Sequence, residues 1–114
     1  MRIISGKAKG RVLTAPKAKA LRPTTDRLKE SLFNILPVEG RRFLDLFAGA
    51  GGVGLEAASR GASRVLFVES NRACARAIRT NIERCGFLNM PARGDGAPEI
   101  EVIECPSERA LRLL

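Results

Sequence analysis

Apolar residues recur along this chain with two different periods, and the change of period divides it. Leu28, Leu32, Ile35 and Leu36 follow helical spacing, which predicts a helix beginning near Asp26 and ended by Pro37 and Gly40. Thr24 or Thr25 can cap it, and the Asp26 carboxylate suits the positive end of its dipole. Leu28, Leu32 and Leu36 are expected to face the core, the other reading being a partner-binding face. From Phe43 the pattern becomes β-α-β-α-β. A strand over about 42–47 leads to a helix over about 53–60, with Gly61 as the residue just past its end. The run Arg64-Val-Leu-Phe-Val-Glu69 is continuously apolar between its charged ends, as expected of a strand buried on both faces. The next helix, over about 71–85, carries Cys74, Ile78, Ile82 and Cys85 as its apolar stripe and stops at Gly86. Arg72, Arg76, Arg79 and Glu83 fall on its opposite face, read as solvated. A loop over 87–100 holding Pro91, Gly94, Gly96 and Pro98 leads to a third strand at about 101–105. Ser107 can cap a last helix, with Leu111 and Leu114 on its apolar side.

Upstream of the first helix, Arg2-Ile-Ile4 and Arg11-Val-Leu13 are short β-prone runs around Gly6-Lys-Ala-Lys-Gly10. They predict a hairpin or extended arm with a lysine-bearing loop. The reading is therefore a basic arm over 1–25 followed by an α/β domain over 26–114.

Charge sharpens that division. The net charge is +8, and residues 1–29 account for all of it, with nine bases against the single acid Asp26. Residues 30–114 balance, eleven bases against eleven acids, and every lysine lies in the first segment. A basic segment joined to a neutral domain points to a polyanionic partner, nucleic acid above all, the plainer alternative being a solubility tail. The candidate contacts are Arg2, Lys7, Lys9, Arg11, Lys17, Lys19 and Arg22, suited to phosphates rather than to base edges. Cys74, Cys85 and Cys105 lack any C-x-x-C spacing and read as small buried hydrophobes in a reducing cytoplasm, with no metal implied. No apolar run approaches bilayer length, and the first residues lack the apolar stretch of a secretory signal.

The chemistry concentrates in Phe43-Leu-Asp-Leu-Phe-Ala-Gly-Ala-Gly-Gly-Val-Gly54. A short apolar run carrying Asp45 breaks into a turn with Gly49, Gly51 and Gly54, and a helix follows. This is how a nucleotide-type cofactor is held at the carboxyl end of a first parallel strand. Glycines there permit positive φ and close approach of the backbone to a ligand. The spacing Gly49-x-Gly51-x-x-Gly54 also satisfies the dinucleotide fingerprint. Asp45 weighs against that reading, because a carboxylate before the turn repels a pyrophosphate but suits the cationic methionine end of S-adenosylmethionine. Glu69 closes the second strand, where an acid can accept hydrogen bonds from both ribose hydroxyls; its plainer role is to cap the following helix. The expected cofactor site spans Asp45, Phe47, Gly49, Gly51, Gly54 and Glu69. Glu104 or Cys105 could approach an adenine at the third strand end.

Two stretches carry a resemblance: Arg22-Pro-Thr-Thr-Asp-Arg-Leu-Lys-Glu-Ser-Leu-Phe-Asn-Ile-Leu36, and Leu44-Asp-Leu-Phe-Ala-Gly-Ala-Gly-Gly-Val-Gly-Leu-Glu-Ala-Ala-Ser-Arg-Gly-Ala62. The chain closely resembles the RsmD-type methyltransferases of bacterial 16S ribosomal RNA, over residues 1 to about 86 and loosely after that. The resemblance implies a Rossmann-like class I S-adenosylmethionine-dependent methyltransferase fold, here truncated after the third β-α unit, preceded by the hairpin and helix. It implies transfer of a methyl group to the exocyclic N2 of a guanine in 16S rRNA, free or in a small-subunit assembly intermediate. In the family's sheet order, 3-2-1-4-5-7-6, strand one pairs with a fourth strand that is missing here. The family usually has serine where this turn has Ala50. It also carries an Asp/Asn-Pro-Pro-Tyr/Phe tetrapeptide after strand four, which orients the target amine and stacks its base. Neither Asn89-Met-Pro-Ala92 nor Glu104-Cys-Pro-Ser107 is a version of it, so no catalytic residue is assigned in these 114 residues. Two other readings remain: a dinucleotide-binding oxidoreductase module, and a non-catalytic RNA-binding remnant of a methyltransferase.

Overall fold

A computed structural model of the chain describes residues 1–16, 24–89 and 98–113. Its elements run α1 (Asp26–Ile35), β1 (Arg42–Asp45), α2 (Gly52–Ser59), β2 (Arg64–Glu69), α3 (Arg72–Arg84), a 3-10 turn (Phe87–Asn89), β3 (Glu99–Glu104) and α4 (Ser107–Leu113). The strands form one parallel sheet in the order β1-β2-β3, with Arg42 opposite Arg64 and Arg64 opposite Glu99. This is the Rossmann-like arrangement expected from the sequence, three strands deep. β1 ends at Asp45, because Leu46 and Phe47 already belong to the turn. β3 starts at Glu99 rather than near residue 101. Past α2 and α3, Gly61 and Gly86 take the positive φ values, 104° and 79°, that end a helix.

β2 is the middle strand, and its burial follows from that. Val65 and Phe67 pack under the helices on one face, while Val68 on the other is covered where α4 crosses β2. Leu66 is half-buried, and Leu44 beside it on β1 is exposed. α4 contributes Ala110 to the core, not Leu111, which is exposed; Leu114 lies outside the described residues. On α3 the stripe of Cys74, Ile78, Ile82 and Cys85 is buried, and Arg72, Arg76, Arg79 and Glu83 are exposed, as the periodicity predicts.

α1 departs from its pattern. Thr25 is its cap, accepting from the Leu28 N–H at 3.2 Å. The buried residues are Lys29 and Phe33, with Leu32 packed partly against the core. Leu28 is 58% exposed and Leu36 45%, so two of the three leucines expected inside are outside. The reason is electrostatic. The Lys29 stem runs inward and its ammonium donates to the Arg2 carbonyl at 2.6 Å, 3.5 Å from Glu56 Oε1. A lysine with partners takes the interior position that local hydrophobicity would give to leucine.

The hairpin forms as expected and is docked on the domain. Arg2 and Val12 make an antiparallel bridge, flanked by bonds from Ile3 N–H to Arg11 O and from Leu13 N–H to Met1 O. Ile3, Ala8 and Leu13 enter the same core cluster as Val65 and Phe67. Part of the contact surface is α2. Glu56 accepts from the Ile4 and Ser5 amides at 2.8 and 3.1 Å, and Ser59 Oγ accepts from the Ala8 amide while donating to the Ser5 carbonyl.

α2 also lies close to the sheet, and Gly54 permits this. A Cβ on Gly54 would overlap the Phe67 ring at the centre of β2. Gly54→Ala gains helix propensity of about 1 kcal/mol, but overpacking at a buried site costs about 1–3 kcal/mol or more. We expect net destabilisation, read as a lower urea midpoint at unchanged slope. A higher midpoint would show that the helix and sheet can separate freely.

Candidate functional site

The carboxyl ends of β1 and β2 place two acids on either side of the glycine turn. β1 delivers Asp45 as its last residue and β2 delivers Glu69 as its last. The turn begins at Leu46 and closes on Gly51, which caps α2 with φ 90° and no side chain to offer. Asp45 supplies what that cap lacks: its Oδ2 accepts from the Gly54 N–H, in the first turn of α2, at 3.1 Å. Its other oxygen accepts nothing from the described residues. Glu69 spans the turn and the start of α3. One oxygen accepts from Gly49 N–H and the other from Asn71 N–H, each at 2.8 Å. Asn71 in turn caps α3 through the Cys74 N–H. Glu69 thus orients both loops rather than capping the helix itself.

These positions set the electrostatics. Burial, reinforced by the neighbouring Glu69 charge and opposed by the Gly54 N–H, pushes the Asp45 carboxyl up to about 6 from its ordinary 3.8. Two carboxylates converge here, and no cation among the described residues lies close enough to pair with either. The site suits a cationic ligand group. Such a group favours ionised Asp45, so its affinity should be full above pH 6 and fall as pH drops through about 6, with a proton released on binding there. Without ligand the sign reverses. The stability tied to Asp45 is complete below about 3.8 and is lost as pH rises through about 6. Calorimetry with S-adenosylmethionine at several pH values, in buffers of different ionisation enthalpy, measures the effect. A flat profile would remove Asp45 from the site.

Of the remaining turn residues, Phe47 stands 81% exposed, a free aromatic face at the rim. Gly49 and Gly51 take positive φ, at 56° and 90°. A Cβ on Gly51 would face Ile78, Leu55 and Phe67 rather than the open side. Its glycine is required by backbone conformation, and a side chain there would meet the core rather than a ligand. Ala50, where the family usually has serine, is buried. At the end of β3, Glu104 sits 3.7 and 3.9 Å from Arg72 and Arg79, and the Cys105 thiol donates to the Pro106 carbonyl.

The basic residues divide. Arg2 pairs with Asp26 at 3.4 Å and Arg11 donates to the Arg84 carbonyl at 3.2 Å, both on the surface. Lys7 and Lys9 are exposed in the hairpin loop. Lys17, Lys19 and Arg22 lie outside the described residues. Burial pushes the Cys85 thiol up to about 11 and raises Cys74 as well, leaving both as packing groups. Among the described residues no cluster of His, Cys, Asp and Glu could hold a metal ion, and no helix is long and apolar enough to cross a membrane.

Besides Lys29 and Ser59, the buried polar residues Glu56 and Asn81 escaped the sequence reading. Glu56 is an acid within the apolar helix Gly-Val-Gly-Leu-Glu-Ala-Ala-Ser, and Asn81 falls at helical spacing from Cys74, Ile78 and Cys85 inside the apolar stripe of α3. A polar residue on an otherwise apolar face was the available signal for each.

Known proteins agree with this geometry. The family described as Conserved hypothetical protein 95 matches residues 1–101. Ribosomal RNA small subunit methyltransferase D of Escherichia coli (strain K12) is 44% identical over 84 residues, which are 72% of this chain and 42% of that protein. The protein of the same name from Haemophilus influenzae is 42% identical over 85 residues, 73% of this chain and 44% of that one. Among solved structures, the yhhF protein of Escherichia coli superposes with a TM-score of 0.78 at 36% identity, over 97% of this chain and 56% of that chain. A hypothetical protein of Thermus thermophilus gives 0.78 at 34% identity, over 99% of this chain and 60% of that chain. The chain spans about half the length of the curated relatives it matches. With residues 1–101 matched and the acid-flanked glycine turn among them, the chain belongs to the Conserved hypothetical protein 95 family, that of the RsmD-type ribosomal RNA methyltransferases.

Proposed function

We propose that this chain is the cofactor-binding part of a methyltransferase that acts on the exocyclic N2 of a guanine in 16S ribosomal RNA, free or in a small-subunit assembly intermediate. The observation that carries the reading is the pair of carboxylates, Asp45 and Glu69, flanking the glycine turn. S-adenosylmethionine bound there supplies the methyl group. Asp45 offers its unused oxygen to the cationic amino-acid end. Glu69, held in place by the Gly49 and Asn71 amides, keeps lone pairs for the ribose hydroxyls. Phe47 provides an exposed ring at the rim, and the backbone of Gly49 and Gly51 lines the turn; Gly54 sets how closely α2 approaches. The hairpin, with Arg2, Lys7, Lys9 and Arg11, is the polyanion-facing surface; Lys17, Lys19 and Arg22 extend the same basic segment in sequence. Such contacts hold a phosphate backbone without reading its sequence.

The competing ligand is a dinucleotide, whose pyrophosphate would meet Asp45. Calorimetric titration with S-adenosylmethionine and with NAD separates them. The proposal expects heat of binding with the first and none with the second. Binding of NAD alone would transfer the site to the oxidoreductase class.

A further inference from the structure

Asn81 lies in the buried stripe of α3, with no exposed surface. Its side-chain amide makes three hydrogen bonds. Oδ1 accepts from the Thr14 N–H at 2.8 Å, while Nδ2 donates to the Thr14 carbonyl at 2.8 Å and to the Ala50 carbonyl at 2.9 Å. Thr14 is the residue by which the chain leaves the hairpin. Ala50 is the middle residue of the glycine turn. One side chain therefore joins the strand leaving the basic hairpin to the turn flanked by Asp45 and Glu69.

The geometry is over-determined. Turning the amide by half a rotation would set its oxygen against two carbonyls and its NH2 group against the Thr14 N–H. A buried polar side chain in mid-helix is costly unless satisfied, and leucine would fill the stripe without that requirement. What asparagine adds is a fixed link. The Ala50 carbonyl it holds belongs to the peptide entering Gly51, where φ of 90° starts α2. On the other side, Glu69 holds the Gly49 N–H. The turn is thus gripped at adjacent residues, once from β2 and once from α3, and the α3 grip is shared with the hairpin.

We propose that Asn81 is a positioning residue that couples the hairpin to the cofactor turn, so that RNA on the hairpin and S-adenosylmethionine at the turn tighten each other's binding. The inference rests on the functional reading above for the identity of both ligands. RNA contacts that restrain the outgoing strand restrain Thr14, and through Asn81 they restrain the Ala50 peptide. A turn already ordered binds its ligand with less loss of freedom. Linkage requires the effect to be equal in both directions.

The test is titration of the 114-residue chain with S-adenosylmethionine, with and without a saturating short single-stranded RNA, at a temperature well below each variant's melting transition. In the wild type, RNA should raise cofactor affinity about fivefold or more, the lower end of ordinary coupling. Asn81→Ala should weaken cofactor binding roughly tenfold, the scale of one lost hydrogen bond, and abolish the effect of RNA. Thr14→Pro removes the N–H that Asn81 Oδ1 accepts, leaves the bond from Nδ2 to the residue-14 carbonyl and the Asn81–Ala50 bond, and so weakens the link at the hairpin end alone. It should keep cofactor affinity without RNA and reduce the coupling, which a purely structural loss would not do. If Asn81→Ala only melts earlier, with affinity and coupling intact, the proposal is overturned. So is it if coupling is undiminished in Thr14→Pro, the readout that stands even should the alanine variant fail to fold. A wild-type chain that binds no S-adenosylmethionine would overturn the functional reading, and the coupling with it.

Discussion

Glu56→Ala is expected to cost about 3–5 kcal/mol, the range for breaking a buried ion pair by removing one partner. The Glu56 carboxylate is fully buried and receives the Ile4 and Ser5 amides, the Arg60 guanidinium at 3.0 Å and the Lys29 ammonium at 3.5 Å. Removing it leaves the buried Lys29 ammonium with the Arg2 carbonyl as its one partner among the described residues, and leaves two hairpin amides without their acceptor. Domains have about 5–15 kcal/mol in total, so this single change should unfold a large share of the molecules. The hairpin should loosen first, since two of its bonds to α2 are lost while those to Ser59 remain. The double variant Lys29→Met/Glu56→Leu should recover the part of the loss that comes from an unpaired Lys29, because paired apolar replacements of a buried ion pair are often neutral or better, and leave the part that comes from the two amides. Urea denaturation of the three chains measures it. A loss under about 1 kcal/mol in Glu56→Ala would show that the pair is no anchor.

The second large effect concerns chemistry. The 114-residue polypeptide by itself is expected to transfer no methyl group to RNA, even where it binds cofactor. Transfer needs the amine held within about 3–3.5 Å of the methyl carbon and aligned with the bond that breaks. No run in these 114 residues accepts an amine's hydrogen bonds and stacks its base as the family's tetrapeptide does. Tritiated methyl transfer to 16S rRNA, assayed with purified chain, checks this; incorporation above a no-protein control would show that another group does the work.

Where local pattern decides structure, the sequence was a good guide. The glycine turn, the two acids at strand ends, the apolar run of β2 and the α3 stripe all follow from spacing, because each depends on neighbours within a few residues. The failures share one cause. Lys29 takes the interior of α1 because of Arg2 and Glu56, each 27 residues away along the chain. Leu28 and Leu36 are outside as a consequence. Gly51 faces the core rather than the ligand side because α3 and β2 lie beneath it. Asn81 is not singled out by the sequence, since its partners, Thr14 and Ala50, are 67 and 31 residues away. Long-range polar pairing leaves at most a polar residue on an apolar face, with nothing local to name its partner.

The central claim is that Glu69 and the glycine turn bind S-adenosylmethionine. The direct measurement is calorimetric titration of the cofactor into the wild-type chain and into Glu69→Ala, each confirmed folded by circular dichroism beforehand. The account predicts saturable binding to the wild type. It predicts a loss of about 1.5–3 kcal/mol in the variant, the scale of hydrogen bonds to a charged group. Equal affinities in the two chains, or no binding to a folded wild type, would contradict it.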